Sequence, residues 1–179
     1  MSLVTYEDAR PWASAMREEV LARRMPKWHA ARGYGEFAND PTLSPFDIAL
    51  IVAWVDGGAV RGDRSKAPPS TAPVKPATAA PSKARTFALP CGDRPLPSGR
   101  LLAITPTLAE GASAGFSVVL PDGHQEILAW IRDYEAEFAE TYWLESPVRL
   151  PRGSRLRGEG PEDCRVELTI QSEPRTAPR

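Results

Sequence analysis

The stretch RGDRSKAPPSTAPVKPATAAPSKA, residues 61–84, constrains this chain more than any other feature. Proline, alanine, serine, threonine and lysine replace the aromatic and branched residues there. Such a segment cannot bury enough apolar surface to offset the entropy of ordering it. It reads as an extended, partly polyproline, flexible linker. The last eight residues, SEPRTAPR (172–179), have the same character and read as a disordered tail. Two structured units are left, 1–60 and 85–171, with no internal repeat, and each is small for a domain that must stand alone.

Composition narrows the function classes. A hydrophobic content of 42% permits a core, whereas a net charge of −1 and a pI near 6.2 supply no basic field for nucleic acid. No apolar run approaches the roughly 18 residues of a spanning helix, and the start MSLVTYEDARPW lacks the basic and then apolar regions of a signal peptide. The two cysteines, Cys91 and Cys164, and the two histidines, His29 and His124, are too far apart in sequence for a structural zinc site. Gly-x-Ser-x-Gly, phosphate-loop, Gly-x-Gly-x-x-Gly and Cys-x-x-Cys-His motifs are all missing. An enzyme built on any of them is not expected, and a copper oxygenase is opposed by the isolated histidines.

The first unit reads as helical. Thr5 with Asp8 forms a capping box over a short turn, and Pro11 can open a new run because it lacks the amide donor that a first turn leaves unused. Trp12, Met16 and Val20 then recur along one face. The charges among Arg17, Glu18, Glu19, Arg23 and Arg24 read as a solvated surface. The helix is predicted to stop just before Pro26, which places Met25 at its exit. There Met25 is either core filler or a soft metal ligand. In SPFDIALIVAWVDGG, Ser44 is the N-cap, Pro45 the first helical residue, Asp47 the partner in the box, and Gly57 or Gly58 the stop. Ile48, Ile51, Val52 and Val55 share a face. Two helices make a poor core, so their apolar faces call for a further partner.

The second unit reads as β. Phe116, Val118 and Leu120 alternate, Pro121-Asp122-Gly123 supplies a turn, and Ile127, Ala129 and Ile131 return. Further strands are predicted near 99–105, 140–150 and 163–170, which suggests a small antiparallel β-sandwich or jelly-roll-like module. Parity places Cys91 with Phe87 and Leu89, and Cys164 with Val166, Leu168 and Ile170. The two cysteines are candidates for a disulfide if the protein is exported, and for a pair of buried thiols in a reducing compartment.

Residues 3–63 carry the words TYEDARPWA, RRMPKWHA, YGEFAND, LSPFDIALIVAWVD and GAVRGD in that order. This series resembles the C-terminal part of a bacterial c-type cytochrome-like domain. The resemblance implies a monohaem electron carrier in which Met25 is the distal haem axial ligand. It also implies that Trp28, Tyr34 and Phe37 line the haem pocket; packing between the two helices accounts for the same aromatics. In complete relatives haem c is held by Cys-x-x-Cys-His, which by this resemblance belongs upstream of Met1. The chain as given lacks that motif and is expected to hold no cofactor. The resemblance further implies a redox partner or a haem-bearing N-terminal segment as partner, and a periplasmic or extracytoplasmic location.

The segment LLAITPTLAEG…VVLPDGHQEILAWIRDYEAEFAETYWLESPVRLPRGSRL is similar to the terminal β domain of copper type II monooxygenase-like proteins. TPTLAEG stands where that family has a histidine-methionine-histidine segment, and His124 falls in a turn, so a copper-free module is implied. The expected fold class is thus α+β, a helical cytochrome c-like fragment followed by a β-sandwich or jelly-roll-like module. The expected function is electron transfer rather than enzymatic turnover. The alternative is a non-enzymatic interaction or scaffold protein.

Overall fold

A computed structural model describes residues 3–66, 81 and 83–172. The greater part of the expected linker, 67–80, and the tail from 173 onward lie outside the described residues. The chain divides into two compact units, and residues 29–40 are assigned apart from the rest of 1–60. Residues 1–28 and 41–76 form one, and residues 29–40 join 77–179 in the other.

In the first unit Thr5 caps α1 (Tyr6–Ala9), its hydroxyl oxygen accepting from the Asp8 amide at 3.2 Å. A 3-10 turn over Arg10–Trp12, led by Pro11, passes into α2 (Ala13–Leu21). Because Trp12 ends that tighter turn, its side chain does not continue the α2 stripe; Ala13 and Val20 are buried, Met16 is half-buried, and Trp12 is exposed. The helix also ends earlier than Pro26 requires. The Arg24 amide donates to the Glu19 carbonyl and the Arg23 amide to the Val20 carbonyl, with Arg23 in the left-handed conformation that glycine normally supplies. Met25 therefore lies four residues beyond the last helical residue, not at the helix exit.

The helix α3 (Pro45–Asp56) has a full capping box, in which the Ser44 hydroxyl accepts from the Asp47 amide and the Asp47 carboxylate accepts from the Ser44 amide. It closes at Gly58, whose φ of 87° lets its amide reach Val55 and that of Ala59 reach Trp54. Ile48, Ile51, Val52 and Val55 are half-buried as one stripe, yet no α3 residue is fully buried. Ser44→Ala is expected to cost the helix about 1 kcal/mol, read as lost helical far-UV signal. The Ser44 hydroxyl, and then its amide, hold the Asp47 carboxyl below the usual carboxylate range. A depressed folded pKa stabilises above the unfolded value and loses that effect as pH falls through the folded one. Acidification should therefore weaken the same cap.

Among the described residues the second unit holds eight strands: β1 (Ala84–Pro90), β2 (Gly92–Pro95), β3 (Gly99–Thr107), β4 (Ala114–Val119), β5 (Gln125–Ile131), β6 (Tyr142–Leu150), β7 (Arg155–Glu159) and β8 (Arg165–Gln171). They form two antiparallel four-stranded sheets in the orders β1-β8-β3-β6 and β2-β7-β4-β5. Only β4 and β5 are consecutive strands within one sheet; every other connection crosses between the sheets. Leu101, Ile104, Phe116, Val118, Ile131, Leu150, Leu156, Leu168 and Ile170 are almost wholly buried and make the core. Cys91, between β1 and β2, and Cys164, just before β8, form a disulfide with Cα atoms 5.4 Å apart.

Residues 29–40 run as a strap along the edge strands of both sheets. Ala30 bridges Ile131 on β5, and Phe37 bridges Leu144 on β6. The Ala31 amide donates to the Trp130 carbonyl and the Arg132 amide to the His29 carbonyl. On the β6 side, Ala38 donates to Trp143 and Glu145 to Glu36. Asn39 closes the strap, its side-chain amide donating to the Thr141 carbonyl at 2.8 Å while its oxygen accepts from the Trp143 amide at 3.0 Å. Edge strands carry a row of unpaired backbone groups, and a strap of this kind satisfies them.

The expected α+β class is overturned. The described chain is mostly β, and α-helix is confined to three short segments. Residues 29–40, counted in the helical half by the sequence reading, lack any helical period and spend their hydrogen bonds on sheet edges.

Candidate functional site

A shallow hollow of about 150 Å³ opens on the outer face of the β7-β4-β5 sheet, with Tyr34 of the strap as one wall. Strand pairing builds it row by row. Glu159, Gly115 and Trp130 lie opposite one another, as do Arg157, Ser117 and Ile127, and then Arg155, Val119 and Gln125. On β7, Leu156 and Gly158 are buried, so Arg155, Arg157 and Glu159 face outward.

Gly115 is the floor. A Cβ there would lie 2.9 Å from two carbons of the Trp130 ring, so the absence of a side chain lets the indole lie across the sheet. The Tyr34 and Trp130 rings stand 6.1 Å apart with planes tilted by 42°. Both are substantially exposed, at 43% and 38%, and Ile127 beside them is 51% exposed. Opposite the rings runs a fixed polar chain. Gln125 Nε2 donates to Ser117 Oγ at 2.8 Å, and an Arg157 guanidinium N–H donates to Gln125 Oε1 at 3.3 Å. Beyond it Arg155 pairs with Asp93 at 2.6 Å and holds that carboxyl below the usual range.

Sequence alternation placed Ile127 inward with Ala129 and Ile131. A β-bulge overturns this: Phe116 pairs with Ala129 and Ser117 with Ile127, so Leu128 is the extra residue and the parity reverses at that point. Ala129 and Ile131 remain inside, while Ile127 turns outward next to Trp130. A bulge leaves little trace in composition, and for that reason the hollow was not visible in the sequence. The aromatic in LAWI was its one available sign.

The residues singled out for haem are divided between the two units. Met25 and Trp28 belong to the helical unit, where Met25 is 41% exposed and Trp28 half-buried. Tyr34 and Phe37 belong to the β unit, where Tyr34 meets Trp130 and Phe37 packs edge-on to Tyr142 with ring centroids 5.4 Å apart. Among the described residues no group of three or more His, Cys, Asp or Glu is placed to hold a metal ion. His29, the first residue of the strap, is buried, its Nε2 accepting from the Glu135 amide at 3.3 Å with its ring against Tyr134. His124 is exposed in the β4–β5 turn.

No family model and no curated protein matches this chain. Two solved structures of a pentameric capsid protein isolated from metagenomic phage sequences align with 88% of it. They are 16% and 15% identical, the alignments cover 91% and 89% of those chains, and the TM-score is 0.31 in both cases. A likeness at that score carries no argument about this chain. Among the described residues, no helix is long and apolar enough to cross a membrane.

Proposed function

We propose that the chain is a non-enzymatic binding module that recognises its ligand at the hollow bounded by Tyr34, Trp130, Gln125 and Arg157. One observation carries this reading. Exposed aromatic walls face a polar chain already held in place, and the hollow contains no thiol, no imidazole and no second carboxylate beside Glu159. Recognition asks for apolar surface and a few oriented polar groups. Nucleophilic turnover asks for a hydroxyl paired with a base, whereas Ser117 Oγ accepts from Gln125 and donates to the Arg157 carbonyl.

A screen of small fragments against the ¹⁵N-labelled chain tests the reading. Hits should gather on the Trp130 indole, Tyr34 and Gln125 resonances. Hits gathering elsewhere, or none at these residues, would overturn it.

Electron transfer to a redox partner, with a haem ligated by Met25, is the competing reading. It rests on the ordered words around Met25 and on the exposure of that thioether. Haem added to the chain is expected to give no methionine-ligated spectrum. Such a spectrum, lost in Met25→Ala, would favour electron transfer instead.

A further inference from the structure

We propose that the hollow is a subsite for an uncharged saccharide ring, an assignment that rests on reading it as a binding site. The chemistry of its two sides is what selects this ligand. A sugar ring has an apolar face of C–H groups and an edge of hydroxyls. Trp130 and Tyr34 form a tilted pair with centroids 6.1 Å apart, each substantially exposed, and aromatic rings bind such apolar surface well. The row beside them offers both kinds of hydrogen-bonding partner that hydroxyls need. Arg157 and the remaining N–H of the Gln125 amide are donors, while the Glu159 carboxylate is an acceptor; Ser117 Oγ is buried and already holds Gln125.

Orientation is set in advance. Gln125 is held by Ser117 on one side and Arg157 on the other, so its remaining capacity points in a fixed direction. Preformed polar groups of this kind reduce the ordering cost of binding.

Charge argues against an anion. Arg157 and Glu159 are the hollow's two charged residues and they cancel, and the whole chain carries a net charge of −1, so nothing there attracts a phosphate or a polyanion. Size argues against a protein surface. A stable protein interface needs about 800 Å² from each partner around an apolar centre. Here the apolar island ends within two strands at Arg157, Glu159 and the Arg155–Asp93 ion pair. The remaining peptide class is a proline-rich segment, which also docks on aromatic grooves. Such a segment binds through ring stacking and a few carbonyl contacts and makes little use of a mixed donor and acceptor row.

The test uses the full ¹⁵N-labelled chain and four probes: the methyl glycosides of glucose, galactose and mannose, and a synthetic peptide of residues 67–81. The Trp130 indole N–H is assigned among the five tryptophans by Trp130→Phe. At least one glycoside is expected to shift both that resonance and the Gln125 side-chain amide in a saturable way. Trp130→Ala should weaken that binding at least about tenfold, and the exposed Gln125→Ala should weaken it measurably with the fold intact. Unmoved resonances with every glycoside would overturn the assignment, as would shifts that both variants leave unchanged. If the peptide alone moves Trp130, or fragments gather at the hollow while glycosides are silent, the saccharide fails and the binding reading stands. If fragments avoid the hollow as well, both fail.

Discussion

Removing the Cys91–Cys164 disulfide, by reductant or by the double change Cys91→Ala with Cys164→Ala, is expected to lower the stability of the β unit by about 4 kcal/mol. The bridge spans 73 residues, so it closes nearly the whole unit into a loop and removes much of the freedom of the unfolded chain. Its position adds to the effect. Cys91 lies where the chain leaves one sheet for the other, and Cys164 leads into β8, the strand that pairs with both β1 and β3. The Cys91 amide also donates to the Cys164 carbonyl at 2.9 Å, so both ends of the crossing are tied at one point. Since small domains are stable by only about 5–15 kcal/mol, the reduced unit should unfold at a much lower urea concentration. Alanine is the better replacement because Cys164 is fully buried and a serine hydroxyl there would add its own desolvation cost. A urea midpoint unchanged by reductant would show that the bridge does not restrain the unfolded chain.

Legibility of the fold followed the range of the interaction. Caps and turns were readable because their chemistry is local: Thr5 with Asp8, Ser44 with Asp47, Gly58, and the turn at Asp122-Gly123 all stand where their residue types placed them. Strands rich in apolar residues, such as β3, β5, β6 and β8, were readable as well, although register shifts break the alternation of β3 and β5. The short polar strands β2, GDRP, and β7, RLRGE, were not, because their pairing partners rather than their own composition make them strands. Tyr34, Gly35 and Phe37 form no periodic pattern; what defines the strap is its set of hydrogen bonds to β5 and β6, distant in sequence. The hollow needed the strap, the bulge at Leu128 and the β4–β7 pairing together, and none of these is a local property. Tyr34 was named from the sequence but given other neighbours, whereas Trp130, Gln125 and Arg157 were not named at all.

Gly35→Ala is expected to be the most damaging single change in the strap, costing about 3 kcal/mol or more, against about 1 kcal/mol for Gly33→Ala. The two glycines have nearly the same backbone, with φ of +88° and +83°, a conformation that costs any other residue. Their surroundings differ. A Cβ on Gly33 meets nothing within 4 Å, whereas one on Gly35 would lie 2.1 Å from the Leu128 carbonyl oxygen. That oxygen belongs to the β5 backbone and has no side-chain torsion by which to move away, so the strap itself must lift. Lifting it exposes the hydrogen-bonding edge of β5 and draws Tyr34 away from Trp130. The variant should therefore show faster hydrogen exchange at the Ala31 and Arg132 amides and a greater tendency to aggregate, together with weaker binding at the hollow. Gly33→Ala should keep slow exchange at those amides. Equal losses in the two variants would mean that backbone conformation alone sets the cost, and that the close approach to Leu128 does not hold the strap in place.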